Sequence, residues 1–474
     1  MPTDPAAGRA FAAVPLIVAC ALFMENLDST VIATALPDVA RSLGEDPLRL
    51  SAALTAYMLS LAVFLPVSGW MADRFGTRRV FAAAIAVFTT GSVLCGLAQD
   101  LPMLVGARVV QGMGGAMMVP VGRLAILRTV PKHELVRAMS FVTMPALIGP
   151  AIGPLVGGFI ATYASWRWIF FINVPVGLIG LVLALRVIPD VREPDPGPLD
   201  LRGLLLSGAG LAGLMFGLEN VGRGLLPPGV LGSVAVVSAV CVWLYIRHAR
   251  RQARPILDPA LLRVPTFAAS VAGGTLFRMG IGATPLLLPL LFQLGFGLTP
   301  FESGALTFAG AVGALTMKAL AGPLLRRFGF RRLLTGNAVL CGAIMAGYTL
   351  FTPETPHAVI LATLLVGGFF RSLQFTGVNT LAYADIEAER VSRASTLAAV
   401  MQQLSLTLGV ATGALMLHLA QDWNGGGPLT PADFDPAFAA VGALAVLSAL
   451  FFLPLPAEAG AGVSGHRRQA QPAE

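Results

Sequence analysis

Apolar stretches of membrane-crossing length recur along the whole chain, each closed by a short cluster of charge, proline or glycine. About 20 apolar residues carry a helix across a hydrocarbon core. The pattern predicts spans over residues 11–36, 50–72, 79–98, 102–123, 140–163, 168–188, 201–219, 228–247, 266–293, 303–325, 332–351, 358–381, 394–419 and 436–455. The expected fold class is therefore an all-α membrane protein with fourteen transmembrane helices and no room for a separate soluble domain.

Composition agrees. Hydrophobic residues make up 55% of the 474 and charged ones 12%, against about 25% charged in soluble domains, which excludes a soluble globule. The formal charge of +7 comes from basic residues scattered in ones to threes between apolar runs. That is a topology signal and not a nucleic-acid-binding stripe. Positive loops stay in the cytoplasm. With the N-terminus inside, most of the 32 basic residues fall on the cytoplasmic side, while only Arg41, Arg49, Arg167 and Arg223 fall outside. Both termini are then cytoplasmic. Cys20, Cys95, Cys241 and Cys341 lie singly in apolar segments, and no histidine has a second ligand at metal spacing. Neither a metal nor a cofactor is expected, and enzyme chemistry built on them finds no support.

The loop Gly69-Trp-Met-Ala-Asp73-Arg74-Phe75-Gly76-Thr-Arg78-Arg79 reappears, at an offset of 253, as Gly322-Pro-Leu-Leu-Arg326-Arg327-Phe328-Gly329-Phe-Arg331-Arg332. Arg108-Val-Val-Gln111 is echoed by Arg371-Ser-Leu-Gln374. Two repeated six-helix halves separated by two extra helices explain both echoes, and parallel repeats of this kind are a transporter architecture. The expected division is 1–190, a first six-helix bundle; 191–255, two linking helices; 256–460, a second six-helix bundle; and 461–474, a disordered cytoplasmic tail.

Charges inside spans are few. Glu25 and Asp28 are the carboxylates set deep in a span, three residues apart on one helix face. Desolvation lets such a group exchange protons near neutral pH; the alternative is a pair of structural hydrogen-bonding groups. For Glu25 the two readings are level. Counting from span ends, Asp28 and Arg108 both sit roughly 9 to 12 Å below the outer surface, so Arg108 is the expected partner of Asp28. Arg278 and Arg371 fall near the midplane, where they face a cavity or find polar partners such as Asn379, Gln402 or Gln403. Gln111 also belongs to the candidate cavity. This excess of interior cations points toward an anionic or zwitterionic substrate.

Gly69 to Arg79 resembles the loop motif of the major facilitator superfamily. Phe23-Met-Glu25-Asn-Leu-Asp28-Ser-Thr-Val31, Arg108-Val-Val-Gln111-Gly112, Gly149-Pro150-Ala-Ile-Gly153-Pro154-Leu-Val-Gly157-Gly158 and Trp166 to Pro175 are similar to signatures of its fourteen-helix drug:proton antiporter branch. Gly114 to Leu124 looks most like the MdtD-type subgroup. The resemblance implies a major facilitator fold, two six-helix bundles plus two extra helices, in the cytoplasmic membrane. It also implies proton-coupled export of small amphipathic molecules; export of an organic anion or a metal chelate such as citrate is the alternative, with a passive channel or membrane enzyme a further one. Gly69, Asp73, Arg74 and Gly76 would form a conformational latch. Gly149, Pro150, Gly153, Pro154, Gly157 and Gly158 would form the antiporter helix. The expected partners are a small-molecule substrate, protons and the lipid bilayer, with no nucleic acid, and a monomer is expected.

Overall fold

The computed structural model describes residues 5–45, 47–131, 134–140, 142, 149, 152–153, 156–157, 159–160, 164–220, 227–425 and 429–466, without the side chains of 5–12, 29–30, 33–38, 40, 47–51, 219, 300–301 and 319. Helices account for its regular structure, and no strand occurs among the described residues. They are α1 (Pro5–Leu43), α2 (Pro47–Phe64), α3 (Ser68–Phe75), α4 (Thr77–Gly96), α5 (Leu101–Thr129), α6 (Asn173–Val187), α7 (Leu201–Asn220), α8 (Pro228–Ala249), α9 (Pro265–Leu290), α10 (Pro300–Thr316), α11 (Lys318–Gly347), α12 (His357–Leu381), α13 (Val391–Trp423) and α14 (Asp435–Leu447). Among the described residues, 11 helices are long and apolar enough to cross a membrane. The first expected span falls within α1, the tenth within α10 and the start of α11, and most of the fifth, 140–163, lies outside the described residues.

The chain divides into two compact units. The first comprises Met1–Thr129, Met144–Pro259 and Ala388–Val400, and the second Val130–Thr143, Ala260–Glu387 and Met401–Glu474. The two extra helices do not stand apart: α7 packs on α2 and α8 on α7, inside the first unit. Much of the α8 surface is apolar and uncovered, with Val236, Val237 and Trp243 all exposed. In water such a face would be a liability, whereas lipid accommodates it.

Local chemistry sets where helices end. Pro66 lies in the 3₁₀ turn Leu65–Val67 that separates α2 from α3, because proline removes a backbone donor. Gly76 takes φ +95° between α3 and α4, and its counterpart in the repeat, Gly329, takes φ +72° and splits α11 into two helices. Only glycine enters that region without a steric penalty. Helix α5 runs beyond the expected end at 123 to Thr129, so Arg123, the last residue of the expected span, lies buried within the helix. At the other end of the chain, part of the expected tail is ordered: Ala461–Ser464 form a helical turn with Val463 and Ser464 buried.

In the first unit, Leu27, Val31, Leu104, Trp166, Ile169 and Phe170 belong to an apolar core around α1 and α5. Helices α4 and α5 meet closely at Gly91, where an added Cβ would come to 2.6 Å from Gln111 Cα. In the second unit, Phe277, Leu287, Phe292, Tyr348, Phe434 and Phe438 belong to the corresponding core.

Candidate functional site

The first unit buries a polar network on α1, α4, α5 and α6. Asp28 and Arg108 meet at 2.6 Å, with both side chains sealed from solvent. Arg108 Nη1 donates to Asp28 Oδ2 at 2.6 Å and to Gln111 Oε1 at 2.7 Å. The other carboxylate oxygen, Asp28 Oδ1, accepts from Gln111 Nε2 at 2.9 Å and from Asn173 Nδ2 at 3.0 Å. Asn173 also donates to Ser92 Oγ at 2.9 Å, and Ser92 Oγ in turn donates to Phe170 O at 2.9 Å. The Arg108 guanidinium lies 4.3 Å from the centre of the Tyr57 ring, a cation–π contact strengthened by exclusion of water. Every hydrogen-bond partner of Asp28 among the described residues is a donor, so the pocket is built for the carboxylate anion.

Glu25 is half-buried one turn before Asp28, and its Oε2 has no hydrogen-bond partner. It lies within electrostatic range of Asp28, Tyr57 and the buried Arg123. Gln111, expected to line a substrate cavity, is fully buried and instead bridges Asp28 and Arg108.

The second unit has a different arrangement. Arg278 Nη2 donates to Asn379 Oδ1 at 3.0 Å, one of the three amides the sequence offered to Arg278 and Arg371. Arg371, half-buried on α12, borders a small cavity of ≈ 10 Å³ with Tyr348 and Cys341. Gln374, which corresponds to Gln111 in the repeat, accepts from Asn337 Nδ2 at 2.8 Å and donates to Leu334 O at 3.1 Å. Gln402 and Gln403 are half-buried on α13. Lys318, at the start of α11, donates to the Ser140 carbonyl.

At the other end of α3, Asp73 Oδ1 accepts from Arg128 Nη2 at 2.6 Å. Arg128 Nη1 also donates to Thr77 Oγ1 at 3.1 Å, tying α5 to the α3–α4 turn. Arg74 is exposed and stands apart from this pair. Gly76 is enclosed: an added Cβ would come to 3.0 Å from Asp190 Cγ. Gly69 permits close passage of α13, since a Cβ there would meet Ser392 Oγ at 3.0 Å. The α13 stretch within this unit is held further by Ser395 Oγ donating to Pro120 O at 2.9 Å and by Arg390 and Arg393 on Asp258 at 3.0 and 3.3 Å. Gly69 and Asp73 line a cleft of ≈ 190 Å³ with Trp70, Glu193, Asp200 and Arg254.

Of the proposed antiporter helix, Gly149, Gly153 and Gly157 are helical and buried. A Cβ on Gly149 would come to 2.8 Å from Asn26 Cβ on α1. Pro150, Pro154 and Gly158 lie outside the described residues. No group of three or more His, Cys, Asp or Glu side chains able to hold a metal occurs among the described residues.

Asn173, Ser92, Arg123 and Arg128 did not stand out in the sequence as site residues. Asn173 could have: an amide within the apolar run Ile172-Asn173-Val174-Pro175 must find hydrogen bonds or remain uncompensated. Arg128 gave no such signal, because the basic residues near it also serve to orient the helices.

A carboxylate and an arginine locked together among membrane helices, in a chain whose glycine-turned loop recurs in its second half, are features of a membrane transporter. The Major Facilitator Superfamily model matches residues 18–410, and the chain belongs to that family, whose members move solutes and are not enzymes. It is 37% identical over 455 residues to the MdtD multidrug resistance protein of Klebsiella pneumoniae, covering 95% of this chain and 96% of the relative. It is likewise 37% identical over 456 residues to MdtD of an Escherichia coli O6:H1 strain, covering 96% of each. Among solved structures, the fold is similar to the proton:xylose symporter XylE (TM-score 0.66, 16% identity, 94% of this chain and 96% of that one). It is also similar to the human organic anion transporter MFSD10 (TM-score 0.63, 13% identity, 95% and 100%).

Proposed function

We propose that this chain is a proton-coupled exporter of small amphipathic molecules, working by alternating access in the cytoplasmic membrane, with Asp28 as the proton carrier. The observation that carries this reading is the donor-only surround of Asp28. Arg108, Gln111 and Asn173 all point hydrogens at the carboxylate. A protonated Asp28 would bring an O–H into a pocket whose partners are donors. Protonation therefore has to break the Arg108 contact or turn an amide. Rotating the Asn173 amide would present its oxygen to the new proton, at the expense of the present Asn173–Ser92 bond. Arg108, buried and always charged, would then lack its counter-charge, and the state that supplies it another acceptor would be favoured.

In this scheme Glu25 is either a second proton site or a structural group. Asp73 with Arg128, and the turn at Gly76, form the latch, with Gly69 providing the contact for α13. Arg278 with Asn379, Arg371 and Gln402 supply the substrate-facing polar groups, and the glycine helix at Gly149, Gly153 and Gly157 seals against α1. Each inward proton yields roughly 2.3 kcal/mol per 100 mV of membrane potential, enough to hold a substantial solute gradient.

The test is substrate-induced collapse of an imposed pH gradient in proteoliposomes, with a cationic dye and citrate assayed in parallel, wild type beside Asp28→Asn. A response of the wild type that disappears in Asp28→Asn supports the reading. Substrate movement without any proton movement in the wild type would refute it.

A further inference from the structure

Arg371 has no acceptor that the chain can be seen to provide. No described residue takes a hydrogen bond from its guanidinium, and its Nε is sealed from solvent. Its electrostatic neighbours are Tyr348 and Cys341, neither of which offers a carboxylate. The amides that could have served are engaged: Asn379 holds Arg278, and Gln374 holds Asn337. Tyr348 is only 5% exposed, and its hydroxyl likewise has no hydrogen-bond partner among the described residues. Both groups border the ≈ 10 Å³ cavity, together with Phe277, Thr284, Cys341 and Met345. Thr284 gives its proton to Gly280 O at 3.0 Å. On α10, Gly310 lets the helix come close to the guanidinium: an added Cβ would lie 3.5 Å from Arg371 Nη2, in van der Waals contact.

A guanidinium cannot shed its charge, and an uncompensated cation inside a membrane protein is costly. A cavity of this size admits about one water-sized atom. We propose that Arg371 and Tyr348 form a binding site for one small anionic group, a halide ion or a carboxylate oxygen, seated in this cavity. The guanidinium supplies charge and forked donors, the tyrosine supplies a further donor, and the apolar wall of Phe277 and Met345 excludes water. The site depends on neither Asp28 nor proton coupling, so the two readings fail separately.

Thermal unfolding of the purified full-length protein in detergent tests it, at fixed ionic strength held with sodium sulfate, a dianion whose double charge and strong hydration disfavour a site with one cation and an apolar wall. Replacing sulfate stepwise by chloride, or by benzoate, should raise the wild-type Tm saturably, as expected for a ligand of the folded state. A rise with chloride alone identifies a resident halide, and a rise with benzoate alone identifies the carboxylate of a carried molecule. Arg371→Gln should melt above the wild type in sulfate and respond to neither anion. Tyr348→Phe should raise the half-saturating concentration roughly tenfold, the worth of one hydrogen bond to a charged group. A wild-type Tm indifferent to both anions would overturn the proposal, as would a rise that persists undiminished in Arg371→Gln or in Tyr348→Phe.

Discussion

The repeat places an arginine and a glutamine three residues apart in each half of the chain, but the two pairs have different surroundings. Arg108 is locked to Asp28, and Gln111 completes the lock. Arg371 faces a cavity without a carboxylate, and Gln374 has turned away to Asn337. One position carries its counter-charge within the chain, whereas the other awaits one from outside. The duplicated loop has diverged in the same sense. Asp73 in the first copy meets Arg128, whereas Arg326 stands at the matching place in the second. A duplicated scaffold thus has an internal ion pair in one half and, at the echoed position of the other, an arginine beside a cavity.

The largest expected effect comes from removing the internal counter-charge. Asp28→Ala should lower stability by about 3 to 5 kcal/mol, because it strands a buried arginine, whereas Arg371→Gln should change Tm in the opposite direction. Equal losses at the two sites would erase the contrast. Next in size is the latch pair: Arg128→Ala should cost about 1.5 to 3 kcal/mol, as the loss of a charged hydrogen bond, measured by denaturant unfolding in detergent. At the two turns, Gly76→Ala and Gly329→Ala should each cost about 1 to 2 kcal/mol for forcing a Cβ into the left-handed region. Gly76→Ala should be the worse, because its Cβ would press more closely on Asp190 than the Cβ of Gly329→Ala would on His466. The smallest effect belongs to Arg74→Ala, at an exposed position, which should stay within about 0.5 kcal/mol of wild type. A larger loss there would return Arg74 to the latch.

Much of this was legible in the sequence, because the bilayer makes helix length and charge placement decisive. The all-helical membrane class, the repeat, the turn glycines and the pairing of Asp28 with Arg108 follow from apolar run length, an alignment offset and depth counted along two helices. The rest depended on rotation about helix axes, which run length does not report. Gln111 is spaced like a cavity residue, yet its face of α5 turns toward α1 and α4. Arg128 and Arg123 read as topology signals because a loop arginine and a helix-end arginine look alike until the helix end is fixed. Asn173 was open to reading as an isolated amide, but its partner lies 145 residues away in sequence.

The central claim is that the charge of Asp28 couples solute export to protons, and the most direct measurement separates exchange from pumping. Asp28→Asn keeps the shape and one oxygen of the side chain while removing its titration. In proteoliposomes carrying the purified protein, the account predicts that this variant still equilibrates a transported dye down its own gradient but no longer accumulates it when a pH gradient is imposed. Accumulation of the dye by Asp28→Asn against its gradient, driven by pH and at the wild-type level, would contradict it.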